Sequence, residues 1–176
     1  MSKRPTTGTP ASFVQLPLMG EVAIYARIAT SDKLQTAHHH PIEDLKAYAK
    51  ALGFQHEQVT VFCDEGTRAA APLLEREGYT ELLKTIREGA VNVLFLHTED
   101  RMFHGASELQ VNTFIHMCIE TGVFIVTPQA VYDLQDLSHI ARFRSQCVNA
   151  FQVREETAKL MQATANSRHQ NAGRKD

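Results

Sequence analysis

The chain has little of what marks secreted, membrane-bound or metal-stapled proteins. Only three cysteines, Cys63, Cys118 and Cys147, occur among 176 residues. They lie far apart without metal-ligand spacing, which argues against a disulfide framework or zinc ribbon and predicts reduced thiols in a cytoplasmic protein. No apolar run approaches the ~18 residues needed to cross a bilayer, and the first residues form no signal-peptide core, so no membrane partner is expected. A net charge of −2 gives no overall attraction for nucleic acid, so any such binding must come from local clusters. There is no internal repeat and no low-complexity tract. The remaining balance, 43% hydrophobic and 22% charged residues, is that of one globular domain with a real core.

Residues 1–19 are rich in Pro, Thr, Ser and Gly without a sustained period, which predicts a mobile N-terminal segment. From 20 to 133, strand and helix patterns alternate. EVAIYARI, QVTVFCDEG, AVNVLFLHTEDR and VFIVTP read as strands, the third being the most continuously apolar and therefore central. PIEDLKAYAKALGF, EREGYTELLKTIREG and SELQVNTFIHMCIETG read as helices, with Pro41 at a first turn and glycines at the ends. The expected fold is α/β, a mostly parallel sheet with helices on both faces. Sites in such sheets form beyond the carboxyl ends of strands, here 27–31, 64–68 and 99–104.

From Leu134 to Gln170 there is no Gly or Pro, which predicts a long helix over 134–166 followed by a polar tail, 167–176. At 1.5 Å per residue the helix would reach ~40 Å or more. Its apolar stripe (Ile140, Phe143, Cys147, Phe151, Ala158 and Met161, interrupted by Arg154) is thin. Two destinations stay open: a dimerisation arm, or packing back on its own sheet.

Arg27, Arg76 and Arg101, with Asp100 beside the last, are the residues whose chemistry stands out. Guanidinium groups present planar forked donors suited to phosphate, above all to a phosphodiester gaining charge during displacement. Individually, each arginine reads first as an ordinary solvated or salt-bridged residue.

Taken together, the motifs resemble those of the serine recombinases, the resolvase and invertase family. YARIATS is similar to that family's Tyr-x-Arg-Val-Ser-Thr start. DEGTRAAAPLLEREGYTELLKTIREG resembles its Asp-Glu-Gly segment, loop and Arg-x-Gly helix start. VNVLFLHTEDRMFHGASEL resembles its strand followed by Asp-Arg-Leu-x-Arg, and TGVFIVTPQAVYDL its fourth strand and the approach to its long helix. The resemblance spans about residues 21–165 and is nearest to the large-recombinase branch. It implies DNA strand exchange: a serine attacks a phosphodiester to form a phosphoserine link, arginines stabilise the transition state, and subunits rotate before religation. No cofactor and no metal is implied. DNA is the implied partner, with homodimerisation, or heterodimerisation with a recombinase, through the long helix.

Carried over by position, the resemblance places Arg27, Arg76, Asp100 and Arg101 in catalytic or phosphate-binding roles. The serine position holds Ala29, the second arginine of the Asp-Arg motif is His104, and a glutamine early in the first helix corresponds to Pro41. Alanine has no oxygen with which to attack phosphorus. Histidine lacks the forked contact of arginine. The expectation is a catalytic domain deficient in cleavage, acting as an accessory or inhibitory partner or persisting as a mobile-element remnant. Two alternatives stay open: an active recombinase using Ser31 or Thr30 as surrogate nucleophile, and a phosphate or nucleic-acid binding module without bond cleavage. Ser31 followed by Asp32 also suits a helix cap. The family's DNA-binding domain follows its long helix; none is present here, so DNA binding by this chain alone is expected to be weak.

Other signals carry less. The triplet at His38, His39 and His40 reads as a polar loop, since consecutive histidines share no helix face. Asp64 with Glu65 could bind Mg²⁺ or serve as a general base; in the resemblance they shape the strand end near the site, and acids at strand ends are commonly just solvated. Cys118 and Cys147 read as apolar helix-face residues. In the tail, Arg168, Arg174 and Lys175 are opposed by Asp176.

Overall fold

The computed structural model describes residues 15–18, 20–28, 41–66, 72–103 and 106–147. Its frame is a five-stranded sheet in the order β2-β1-β3-β4-β5. The strands are β1 (Val22–Ile28), β2 (Val59–Glu65), β3 (Val93–Leu96), β4 (Phe124–Thr127) and β5 (Ala130–Asp133). The first four run parallel, and β5 returns antiparallel to β4. The fold is thus α/β with a mostly parallel sheet, and the most apolar segment, β3, is its middle strand. All four β3 residues are buried, as continuous apolarity requires of a strand covered on both faces.

The helices are α1 (Pro41–Ala51), α2 (Glu77–Arg87), the single turn α3 (Glu99–Met102), α4 (Glu108–Thr121) and α5 (residues 137–147). Period-two alternation in the strands divides the core. Ala23 and Tyr25 of β1, with Leu94 and Leu96 of β3, join Leu82, Ile86, Phe114 and Phe143 from α2, α4 and α5. Val22, Ile24, Val93 and Phe95 face the other way, against Leu45 and Ala49 of α1. Each fully buried large apolar side chain contributes about 1.5–3 kcal/mol, so β1 and β3 anchor both layers.

Local chemistry sets the helix ends. Ser107 Oγ accepts from Gln110 N at 3.3 Å, and Gln110 Oε1 accepts from Ser107 N at 2.7 Å, a reciprocal cap at the start of α4. Gly122 closes the same helix at φ 71°, a left-handed conformation that glycine adopts without strain. Ser107→Ala is expected to cost about 1 kcal/mol, read as a melting temperature lower by a few degrees.

Three elements differ from the sequence expectation. The third strand ends at Leu96, and the chain then coils into α3 rather than running on to Arg101. A fifth strand follows β4 through the Pro128–Gln129 turn, where Thr127 Oγ1 accepts from Ala130 N at 3.1 Å. The helix expected from 134 begins at 137, because Asp136 Oδ1 accepts from Ser138 N at 2.7 Å and from Ser138 Oγ at 2.6 Å and caps it there. Within α5, Phe143 and Cys147 are fully buried in the core shared with Phe103 and Phe114, so this part of the helix packs back on its own sheet. Phe151, Ala158 and Met161 lie outside the described residues. Among the described residues, no helix is long and apolar enough to cross a membrane.

Candidate functional site

β1 and β3 are parallel neighbours, so their carboxyl ends open on one edge of the sheet. Arg27 stands near the end of β1. β3 leads through His97 and Thr98 into α3, which carries Asp100 and Arg101. Arg27 Nε donates to the Arg101 carbonyl at 3.4 Å. Arg76, the residue preceding α2, is 1% exposed, and its Nη1 donates to the Met102 carbonyl at 2.9 Å. The three arginines named from the sequence therefore converge on one helical turn. Arg27, Pro41, His97, Thr98, Arg101 and Met102 line a cleft of about 10 Å³, room for one water-sized oxygen.

A buried network supports this edge. Tyr25 OH donates to Asp64 Oδ2 at 2.7 Å, and Gly78 N donates to Asp64 Oδ1 at 2.8 Å. Asp64 is 5% exposed. The solvated strand-end acid expected from sequence is instead a buried acceptor that ties β1 and β2 to the first turn of α2. Its neighbour Glu65 is exposed. Burial, then the bond to Asp64 and its charge, push the Tyr25 phenol well above its ordinary range, with Arg76 pulling the other way. Tyr25 therefore serves as a fixed donor at neutral pH. Gly78 lies against the β2 backbone, where a side chain would collide with Cys63.

Asp100 is half-buried on α3. Ala29, Thr30, Ser31, His104, the histidines at 38–40 and the tail cations lie outside the described residues. Cys118 and Cys147 are buried, and burial pushes both thiols up, away from the reactive thiolate. Sequence reasoning overlooked His97 and Thr98. Their Nδ1 and Oγ1 atoms are buried and have no hydrogen-bond partner among the described residues. The one available signal was two polar residues directly after the most buried strand of an α/β sheet.

The chain matches the protein family described as "Resolvase, N terminal domain" over residues 22–175. Among solved structures it is similar to the N-terminal catalytic domain of TP901-1 integrase, at 20% identity and a TM-score of 0.53, covering 80% of this chain and 98% of that one. It is also similar to a resolvase family site-specific recombinase from Streptococcus pneumoniae, at 13% identity and a TM-score of 0.54, covering 85% and 99% of the two chains. At these identities the solved structures establish the fold alone. No curated protein matches.

Proposed function

The chain belongs to the resolvase N-terminal domain family, the catalytic domain of serine recombinases, and we propose that it is a member deficient in DNA cleavage. It acts as an accessory or inhibitory partner of active recombinases, or persists as a mobile-element remnant. The observation that carries this reading is a contrast. The arginines that would grip a phosphodiester converge at the ends of β1 and β3, while the residue after Ile28, which we read as the nucleophile position, is Ala29. A methyl group has no lone pair to offer phosphorus. His104 replaces a second arginine and removes another forked donor.

What remains suits phosphate binding. Arg27 and Arg101 supply charge-assisted donors, and the His97 and Thr98 polar atoms beside them would be satisfied by a phosphate oxygen. DNA is therefore the partner this reading assigns, held through its backbone and without sequence readout. Arg101→Ala is expected to weaken duplex binding about tenfold and to lower the salt slope by about one unit, with no covalent product from either chain. Fluorescence anisotropy across a salt series checks this; unchanged affinity and slope would remove Arg101 from the phosphate site.

The segment that follows α5, residues 148–166, is the proposed contact with a recombinase partner. Co-expression with a cognate full-length recombinase is expected to lower its recombination frequency. An unchanged frequency counts against the inhibitory role.

A further inference from the structure

Glu99 directly precedes Asp100 and Arg101 on α3 and is only 8% exposed. Tyr132, 1% exposed on β5, donates its hydroxyl to Glu99 Oε1 at 2.5 Å. The Tyr132 ring is held from α5: the Phe143 ring lies 5.1 Å from it, and the Arg142 guanidinium stands 5.7 Å over its face. Phe143 also meets Phe103, the residue that closes α3, at 6.0 Å. One turn further along α5, Cys147 is buried in the same core as Tyr132, Phe103 and Phe143. A continuous set of contacts thus runs from α5 through Tyr132 and Glu99 to α3.

A buried acid–phenol bond is a poor way to gain stability, since an apolar pair of the same shape serves about as well. What it adds is direction. α3 is four residues long, too short to hold its own orientation by helical bonding. Yet its last two carbonyls, of Arg101 and Met102, are the acceptors for Arg27 and Arg76. A small rotation of this turn would move both acceptors.

We propose that Tyr132 is a positioning residue for the arginine cluster: its hydroxyl, through Glu99, fixes α3, and joins α5 mechanically to Arg27 and Arg101. The proposal rests on the reading of those two arginines as the phosphate site. Removing the link without removing stability separates positioning from packing. In the full chain, Tyr132→Phe combined with Glu99→Met replaces both partners by apolar groups of similar shape, so its melting temperature should stay within a few degrees of the parent.

The direct readout is the Nε–Hε resonance of Arg27 in a ¹⁵N spectrum, protected by its bond to the Arg101 carbonyl. In the double variant its hydrogen exchange is expected to quicken, and short-duplex binding to weaken, each about fivefold. Glu99→Gln keeps an acceptor for Tyr132 and should preserve both. A stable double variant that retains the Arg27 signal overturns the proposal. Should that variant not fold, Tyr132→Phe against Glu99→Gln decides: loss in the first alone supports the link, and equal signals overturn it. If the parent chain binds no duplex, the phosphate reading falls while the Arg27 resonance still tests the positioning.

Discussion

Alanine in place of Gly78 is expected to cost the fold about 3 kcal/mol and to lower its melting temperature by roughly 10 °C. A Cβ at this position would lie 2.7 Å from the Cys63 carbonyl oxygen, 2.8 Å from its carbon and 2.9 Å from its nitrogen. These are backbone atoms of β2, which is paired with β1 along its whole length from Val59 to Glu65 and cannot yield. The first turn of α2 must therefore withdraw. Its withdrawal stretches the bond from Gly78 N to Asp64, and with it the Tyr25–Asp64 bond at the core of the site. Glycine is needed here for space, a close approach of helix to strand, rather than for an unusual φ. The same shift moves Arg76, two residues earlier, off the Met102 carbonyl, so DNA affinity should fall together with stability. Thermal denaturation followed by circular dichroism checks the first effect. A melting temperature within one or two degrees of the parent would show that α2 is free to move, against the packing described.

How much of this was legible in the sequence depends on how local each cause is. β1 and β3 announce themselves as apolar runs, and α4 is bracketed by Ser107 and Gly122, whose capping roles need only neighbouring atoms. β5 gives no such sign: it has four residues, one of them buried, and its Pro128–Gln129 turn lacks the glycine or asparagine typical of a tight hairpin. Pairing with β4 makes it a strand. α3 is barely one helical turn, so no hydrophobic period could repeat within it.

In the site, the strand-end rule and the family resemblance brought Arg27, Arg76 and Arg101 forward, and they do converge. The burial of Asp64 was not legible because the groups that bury and bond it, Tyr25 and Gly78, are 39 and 14 residues away. The Tyr132–Glu99 bond spans 33 residues and lay equally beyond sequence reading. The stripe on the last helix looked the same for an arm as for a core helix; Phe143 and Cys147 settle it for residues 137–147, where the core receives them.

The second large effect concerns chemistry. Losing a catalytic nucleophile costs on the order of 10⁶ in rate, so on the proposed reading of Ala29 the native chain should form no measurable link to DNA. Putting Ser at position 29 and Arg at 104 supplies an attacking oxygen and a forked donor beside Arg27, Arg76 and Arg101. The proposed reading gives Ser31 and Thr30 no part in attack, since in-line displacement needs an oxygen within ~3–3.5 Å of phosphorus and a misplacement of one ångström costs about a hundredfold.

The deciding measurement is therefore covalent capture. Genomic DNA fragments from the host are incubated with the native chain, with Ala29→Ser/His104→Arg, and with Ser31→Ala; each mixture is denatured and the DNA still bound to protein is sequenced. The account predicts attached DNA with the double substitution alone. DNA attached to the native chain, and released from it by Ser31→Ala, would contradict it and identify Ser31 as the nucleophile.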